Sequence, residues 1–440
     1  MKRSPTLLEI ERLQTYARLI HHLELSGHPS TSLSRLDLGV LTALSADRAD
    51  TILPNLLTLS LTENARQTLD SVYLLIGEKL TSLSMDLSTT QCDEVTGCSL
   101  LDTLQTTSPF IEKLYISGGP EISLSLSSAL SDLVCGLYHV HTFYSPCLSI
   151  NCKAFAHLSS LSHLQVLGVK VPNSDEFKRL PHSPGPFPEL REVTVWTAYL
   201  STATEMLRRM QPSLLEVLIF HIEDTPCACD VDELFATMIQ HCRHTLKRVY
   251  GFQDHYPDTI GEHPRDDYAL RPLLAFPYLE YVWINACISF ENMDNTLIHD
   301  MACAWPHLRE LDLGSTSCWG LPSQVTLEGL LQFCEHCPEL CSLGLTMNAL
   351  ATVPLLQMPE SQPANLHMKA LQVGNSRTGI EQVNAVARFL RRIYPNLRHL
   401  SCYKEDGTVG WLLIRVAWLM VGDIVTSDEN ENPMASYWTQ

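Results

Sequence analysis

The sequence predicts an α/β fold, an irregular leucine-rich-repeat solenoid of the ribonuclease-inhibitor-like type, and three features indicate it. A six-residue pattern, apolar-x-x-apolar-x-apolar, recurs fourteen times along the 440 residues at intervals of 24 to 36 residues. In eight copies a proline stands two residues before the first apolar position. The segments between the copies carry apolar residues at helical spacing. One strand and one helix in a unit of about this length is typical of leucine-rich repeats.

The six-residue copies mark the expected strands. Clear copies begin at Leu56, Leu80, Ile111, Leu164, Leu190, Leu214, Leu279, Leu308, Leu340, Met368 and Leu397, and weaker ones at Ile20, Val140 and Leu246. Alternate strand residues point to opposite faces, so the apolar positions should face a core and the residues between them should face solvent. One unit cannot bury its apolar positions alone, whereas stacked units share a core. We therefore expect parallel strands on the concave face and helices on the convex face.

The segments between the strands are predicted to be helices. Their apolar stripes include Val231, Leu234, Phe235, Met238, Ile239 and Cys242, and similar stripes begin at Leu297, Leu327 and Ile380. In the eight copies that have it, the proline before the strand ends the preceding helix and favours an extended approach. Irregular repeat lengths predict excursions at 171–188, 253–275 and 351–365.

The predicted organisation has four parts. Residues 1–19 form an N-terminal cap helix, and residues 20–404 form a solenoid of about 14 units. Residues 405–425 form a C-terminal capping helix, and residues 426–440 form a flexible acidic tail. The apolar run Trp411 to Val421 contains Arg415 and is far shorter than the roughly 20 apolar residues of a membrane span.

The composition predicts a protein of the cytoplasm or nucleus that binds neither nucleic acid nor membranes. The net charge of −19 repels polyanions and anionic lipid surfaces. Residues Met1 to Pro5 are not followed by the long apolar run of a signal peptide. The fifteen cysteines are an odd number, and without a secretion signal we expect reduced, mostly buried thiols.

The sequence predicts no catalytic, cofactor or metal site, and so no enzyme. It contains no G-x-S-x-G, H-E-x-x-H, phosphate-binding or dinucleotide-binding motif, and we find no ligand spacing among the eighteen histidines. The best metal candidate is Cys334-Glu335-His336-Cys337, with Cys341 nearby, but Cys334 and Cys337 fall on an apolar helix stripe and are better explained as core residues. Cys227 with Cys229 is a candidate for oxidation in a loop. A polar group in the second excursion, interpreted as solvated, comprises His255, His263, Asp266 and Asp267.

Large aromatic residues concentrate at the outward positions of the central strands. Tryptophan, tyrosine and arginine are enriched where proteins bind each other, and a contiguous exposed apolar patch marks an interaction site. The predicted partner-binding residues on the concave face are Trp196, Phe220, Arg248, Tyr250, Phe252, Tyr281 and Trp283. In the alternative interpretation, these rings pack on one another or lie beneath the excursions.

Ordered phrases along the chain resemble a known family. They are Leu270-Arg271-Pro272-Leu273-Leu274, Ala304-Trp305-Pro306-His307-Leu308, Thr326-Leu327-Glu328-Gly329-Leu330, Cys337-Pro338-Glu339-Leu340, Val386-Ala387-Arg388-Phe389-Leu390 and, near the start, Tyr16-Ala17-Arg18-Leu19-Ile20. They resemble the F-box/leucine-rich-repeat proteins of mushroom-forming fungi. The resemblance implies a solenoid that recognises the substrate of a cullin–RING ubiquitin ligase, whose F-box docks a Skp-type adaptor.

The first repeat begins by about Ile20, where such proteins carry a helical F-box ahead of the repeats. We therefore expect the F-box to be missing, residues 1–19 to be a cap helix or an F-box remnant, and the adaptor not to be a direct partner. Two functions stay open: recognition of a protein ligand or substrate for a ligase, and a stand-alone scaffold or inhibitor.

Overall fold

The computed structural model describes residues 6–25, 51–61, 72–87, 94–118, 123–171, 187–224, 226–253, 270–285, 293–314, 323–351, 364–402 and 409–427. The chain divides into two compact units. Unit 1 comprises residues 1–197 and 205–214, and unit 2 comprises residues 198–204 and 215–440. Each unit is an α/β leucine-rich-repeat array of parallel strands, and in many of its described repeats a helical segment follows the strand, as the sequence predicts.

Unit 1 has one parallel sheet in which each strand pairs with the next along the chain. Its strands are His22–Leu25 (β1), Thr58–Leu61 (β2), Ser82–Asp86 (β3), Lys113–Ser117 (β4), Thr142–Ser149 (β5), Val166–Lys170 (β6) and Glu192–Thr197 (β7). Its helices are Leu7–Ala17 (α1), Glu94–Thr107 (α2), Leu124–Cys135 (α3) and Cys152–Ser160 (α4). Helix Leu200–Met210 (α5) has residues in both units.

Unit 2 repeats the same arrangement. Its strands are Val217–Ile222 (β8), Arg248–Gln253 (β9), Tyr281–Asn285 (β10), Glu310–Leu313 (β11), Ser342–Leu345 (β12), Ala370–Gln372 (β13) and His399–Ser401 (β14). Its α-helices are Ala228–Cys242 (α6), Asn295–Ala304 (α7), Gly329–His336 (α8), Val383–Ile393 (α9) and Val409–Thr426 (α10). Short 3-10 helices occupy Arg271–Ala275 and Ile380–Gln382.

Several helices begin at a residue that caps the free backbone N–H groups of the first turn. The side chains of Ser123, Asn151 and Asp294 accept hydrogen bonds from these groups in α3, α4 and α7. At α1, Thr6 and Glu9 form a reciprocal capping box. Because a short polar side chain stands where each of these four helices begins, the chain enters them at defined residues.

The parallel register aligns the middle apolar residue of every repeat. The aligned residues are Leu23, Leu59, Leu83, Leu114, Phe143, Leu167 and Val193 in unit 1, and Leu218, Val249, Val282, Leu311, Leu343, Leu371 and Leu400 in unit 2. All are buried except Leu23 and Leu400, in the first and last strands, which are partly exposed. Thus all fourteen predicted copies coincide with a strand, and each unit buries a continuous apolar row.

Strand β8 differs from the prediction by one residue. The sequence interpretation placed Leu214, Val217 and Ile219 inward, which left Phe220 outward. In the structure Leu215, Leu218 and Phe220 are buried, and Phe220 is only 3% exposed. The segment from 214 to 220 is apolar at all positions but one. The pattern therefore fits two phases, in which opposite sets of alternate residues face the core. A one-residue shift moves every side chain to the other face, and the phase that buries the larger phenylalanine ring is the one adopted.

A buried asparagine closes the turn before β13. The side-chain nitrogen of Asn365 donates to the carbonyl oxygens of Cys337 and Leu340 at 3.3 and 3.0 Å. Its side-chain oxygen accepts from the backbone N–H groups of His367 and Met368 at 2.8 and 3.1 Å. Four hydrogen bonds therefore join consecutive repeats through one side chain that is almost inaccessible to solvent.

The C-terminal helix α10 packs on α9 and β14. The indole nitrogen of buried Trp418 donates to the carbonyl oxygen of Ser376 at 2.8 Å. Within the part of the chain that the structure describes, no helix has both the length and the apolar character that a membrane crossing requires. The three excursions lie mostly outside the described residues, as do residues 428–440 of the predicted tail.

The phase of β8 can be tested by substitution. We expect Phe220→Ala to lower the free energy of unfolding by about 3–5 kcal/mol, because it removes a large buried ring and leaves a cavity. Ile219→Ala, at the half-exposed neighbouring position, should cost only about 1 kcal/mol. Chemical denaturation followed by circular dichroism measures both. Equal losses, or a larger loss for Ile219→Ala, would contradict the observed phase.

Candidate functional site

Two rows of outward side chains cross the sheet of unit 2, and together they form its strand face. The first row, in register order, is Val217, Arg248, Tyr281, Glu310, Ser342, Ala370 and His399. The second row is Ile219, Tyr250, Trp283, Asp312, Gly344, Gln372 and Ser401. Residues about thirty positions apart in sequence therefore become lateral neighbours.

The aromatic half of this face lies on β9 and β10. The guanidinium carbon of Arg248 is 4.8 Å from the centre of the Tyr281 ring, which is the geometry of a cation–π contact. The rings of Tyr250 and Trp283 are 6.4 Å apart and inclined by 59°. Trp283 is 37% exposed, while Tyr250 and Tyr281 are half-buried. The rings of Tyr250 and Trp283 pack on one another, as the alternative interpretation expects, and the indole is still partly exposed to solvent.

The acidic half lies on β11. Glu310 is exposed, whereas Asp312 is buried and leans over Gly344 of β12. A Cβ atom at Gly344 would lie 2.6 Å from the Asp312 side-chain Cγ, so only glycine leaves room for the carboxylate in this position. The missing side chain at Gly344 thus leaves the space that the Asp312 carboxylate occupies.

A small depression, open to solvent, joins the two halves and has a cavity volume of about 40 Å³. It is lined by Tyr250, Tyr281, Val282, Trp283, Glu310, Leu311, Asp312, Ser342 and Gln372. Its lining therefore combines aromatic rings, two carboxylates and small polar groups. The sequence pattern places Glu310 and Asp312 at outward positions, but selection by aromatic content left them and Gln372 out of the predicted partner-binding residues.

Neither Phe220 nor Trp196 is among the residues that line this depression. Phe220 faces the core, which corrects its assignment to the binding face, because β8 adopts the other phase. The side chain of Phe252 lies outside the described residues. Trp196 belongs to unit 1, where its ring meets that of Tyr144 edge-on at 5.0 Å. Tyr144 in turn lies 5.9 Å from Tyr115.

The aromatic cluster of unit 1 is also shaped by a glycine. A Cβ atom at Gly168 would fall among the ring atoms of Tyr144. The ring can lie flat over β6 only because this position has no side chain. Burial raises the pKa of the Tyr144 hydroxyl, with a smaller contribution from the negative charge of Glu192. Tyr144 therefore serves as a neutral packing residue.

The cysteine pair considered for metal binding lies in the core of unit 2. Cys334 and Cys337 are buried, and burial raises their pKa to about 11 and about 12, respectively. The thiol of Cys337 donates to the carbonyl oxygens of Ala302 and Trp305 at 3.5 and 3.4 Å, and that of Cys334 to Ile393 at 3.8 Å. Both thiols are thus held protonated within the packing, as the core interpretation predicts.

The expectation of reduced, mostly buried thiols is wrong in two respects. Cys227 and Cys229 form a disulfide at the start of α6. Of the free cysteines in the described ranges, only Cys242, Cys334 and Cys337 are buried. Only one residue separates Cys227 from Cys229, so joining their sulfur atoms avoids the conformational entropy cost of closing a long loop. The histidine and aspartate group predicted at residues 255–267 lies outside the described residues.

Comparison with known proteins adds little to this geometry. No family model matches the chain, and no curated protein matches it. The chain is similar to a solved structure described as the crystal structure of the Rad7 and Elc1 complex in yeast, with a TM-score of 0.48, 15% identity and 91% of each chain covered. At this TM-score the similarity carries no argument. The repeats and strand register themselves define the class, a leucine-rich-repeat solenoid with a mixed aromatic and acidic strand face.

The packing of the cysteines predicts their reactivity. In the native protein at pH 8, we expect Cys334 and Cys337 to resist alkylation, because burial blocks access and suppresses the thiolate that reacts. Exposed Cys303 should react readily, with a chelator present to remove any metal ion that would block its thiolate. Mass spectrometry of alkylated peptides, with urea-unfolded protein as the control, measures all three. Rapid native labelling of Cys337 would contradict the described core.

Proposed function

We propose that this chain is a protein-binding solenoid that catalyses no reaction, and that the strand face of unit 2 holds the partner. The observation that supports this proposal is the depression between β9 and β13. There the exposed indole of Trp283 and the cation–π pair of Arg248 and Tyr281 lie beside two carboxylates. Small-molecule sites enclose most of their ligand, whereas this depression is open. An open face with aromatic anchors and charged neighbours suits a protein segment.

The chemistry of the face suggests the kind of segment it would hold. Trp283 and Tyr250 offer apolar surface and ring faces, while the exposed carboxylate of Glu310 attracts a basic group. The net charge of −19 gives the whole chain an attraction for a basic partner and would speed its association. The proposed ligand is therefore a protein segment with a basic residue beside an apolar or aromatic one.

The sequence resemblance supports a finer proposal. In this proposal, the chain recognises the substrate of a ubiquitin ligase in the cytoplasm or nucleus. The alternative is a stand-alone scaffold or inhibitor that uses the same face. Affinity capture of the tagged full chain from its native cells distinguishes the two. Recovery of a Skp-type adaptor with a cullin supports the ligase role, and recovery of one stoichiometric protein without them supports the scaffold or inhibitor.

The strand face can be tested with the partner recovered in that capture. We expect Trp283→Ala to weaken binding by about 2 kcal/mol, or roughly 30-fold in Kd, as for a central aromatic residue of an interface. Glu310→Lys should slow association and make it less sensitive to salt, because it removes electrostatic attraction at the rim. Surface plasmon resonance at two salt concentrations measures both effects.

Tyr278→Ala is the matched control, because Tyr278 is an exposed aromatic residue in the turn before β10, away from the strand face. It should leave Kd unchanged. If Trp283→Ala binds the partner as tightly as this control does, the face is not the binding site. Circular dichroism of each variant verifies that the repeats remain folded.

A further inference from the structure

A second cluster of chemically active side chains lies on the helices of unit 2, away from the strand face. His299 and Cys303 lie one helical turn apart on α7, and His336 is the last residue of the neighbouring helix α8. One ligand atom from each of the three lies within 4.8 Å of the other two. His299 and Cys303 are exposed and His336 is half-buried, so the group is open to solvent.

The distances within this cluster approach those of a metal site. The Cys303 sulfur is 3.7 Å from Nε2 and 4.0 Å from Nδ1 of His299, so it lies beside the ring, and both side chains would rotate to point at one ion. In a tetrahedral zinc site, sulfur and nitrogen ligands are separated by about 3.6 Å, given metal bonds of about 2.3 and 2.05 Å. The rings of His299 and His336 meet edge to face with centres 5.5 Å apart. A ring nitrogen of His336 lies within 4.8 Å of the ligand atoms of both His299 and Cys303.

An independent contact prepares His299 for this role. Its Nδ1 lies 2.6 Å from the side-chain oxygen of Gln332 on α8. The amide oxygen can only accept a hydrogen bond, so Nδ1 carries the proton and donates it. In the neutral ring, Nε2 then holds a free lone pair, and Nε2 is the nitrogen nearer to Cys303. Metal-binding histidines are commonly oriented by such a bond from the other ring nitrogen.

We infer that His299, Cys303 and His336 bind a divalent transition-metal ion of the zinc type. One thiolate and two imidazoles are ligands that this class of ion prefers. Binding releases the Cys303 thiol proton to solvent, while both histidines coordinate as neutral rings. The fourth coordination position faces solvent and accepts water. The ion would join the helices of two consecutive repeats.

The experiment uses the full chain with Cys227→Ser and Cys229→Ser as the background, because Cys227, Cys229 and Asp230 form another group of possible ligands. Metal-free protein in a non-thiol reductant is titrated with Co²⁺ alone. We expect one equivalent to give thiolate-to-cobalt charge-transfer absorption and tetrahedral d–d bands, and Zn²⁺ to abolish both by displacement. A titration without charge-transfer absorption overturns the inference.

Single variants assign the ligands. Cys303→Ser should abolish the charge-transfer absorption, and His336→Gln should weaken Co²⁺ binding by more than about tenfold. Cys341→Ser, at a partly exposed cysteine of the same unit, is the matched control and should change neither. Charge-transfer absorption that survives Cys303→Ser overturns the assignment. Since Cys303 is exposed, its substitution should leave the unfolding midpoint of the metal-free protein unchanged.

A second pair of variants tests the orienting bond. Gln332→Ala removes the acceptor and should weaken Co²⁺ binding by about 10- to 100-fold, while Gln332→Glu keeps an acceptor and should retain the affinity. A purely structural role of Gln332 predicts equal affinities for the two variants. Equal affinities would therefore overturn the proposed role of Nδ1.

Discussion

The structure depends on one constraint, the burial of the aligned apolar row at the centre of each sheet. A single strand of three to eight residues cannot bury its central apolar side chain alone, and neighbouring repeats supply the missing contacts. The row also fixes the register of each pair of strands, since a shift by one residue would turn apolar side chains to solvent. Once the buried row is aligned, the rows on the opposite face are aligned as well.

That alignment explains the chemistry of the strand face. Each repeat contributes two outward positions, so a short stretch of sequence controls one column of the surface. In unit 2 the columns change from arginine and tyrosine on β9 to carboxylates on β11 and to glycine on β12. Gly344 leaves space for the Asp312 carboxylate, and Gly168 leaves space for the Tyr144 ring in unit 1. A glycine on this face is therefore a determinant of its neighbour's position.

The positions of the strands were predictable because the apolar pattern is strong wherever polar residues separate its members. Strand β8 shows the limit of that signal. From Leu214 to Phe220 the polar residues needed to select a phase are nearly absent, and packing volume decides instead. The aromatic half of the site followed from the pattern. Its acidic half required the register, because the importance of Asp312 comes from the residue beside it on β12.

The helix cluster illustrates the same limit more sharply. His299 and Cys303 stand four residues apart, but that spacing alone is common on helices. Gln332 lies 33 residues after His299, and His336 lies 33 residues after Cys303, close to the length of this repeat. Both pairs therefore occupy equivalent positions of consecutive repeats and meet side by side on α7 and α8. In a repeat array, residues separated by one repeat length are neighbours on the helices as well as on the strands. A search for ligands at that separation, rather than within one helix, is the sequence signal that would have found this cluster.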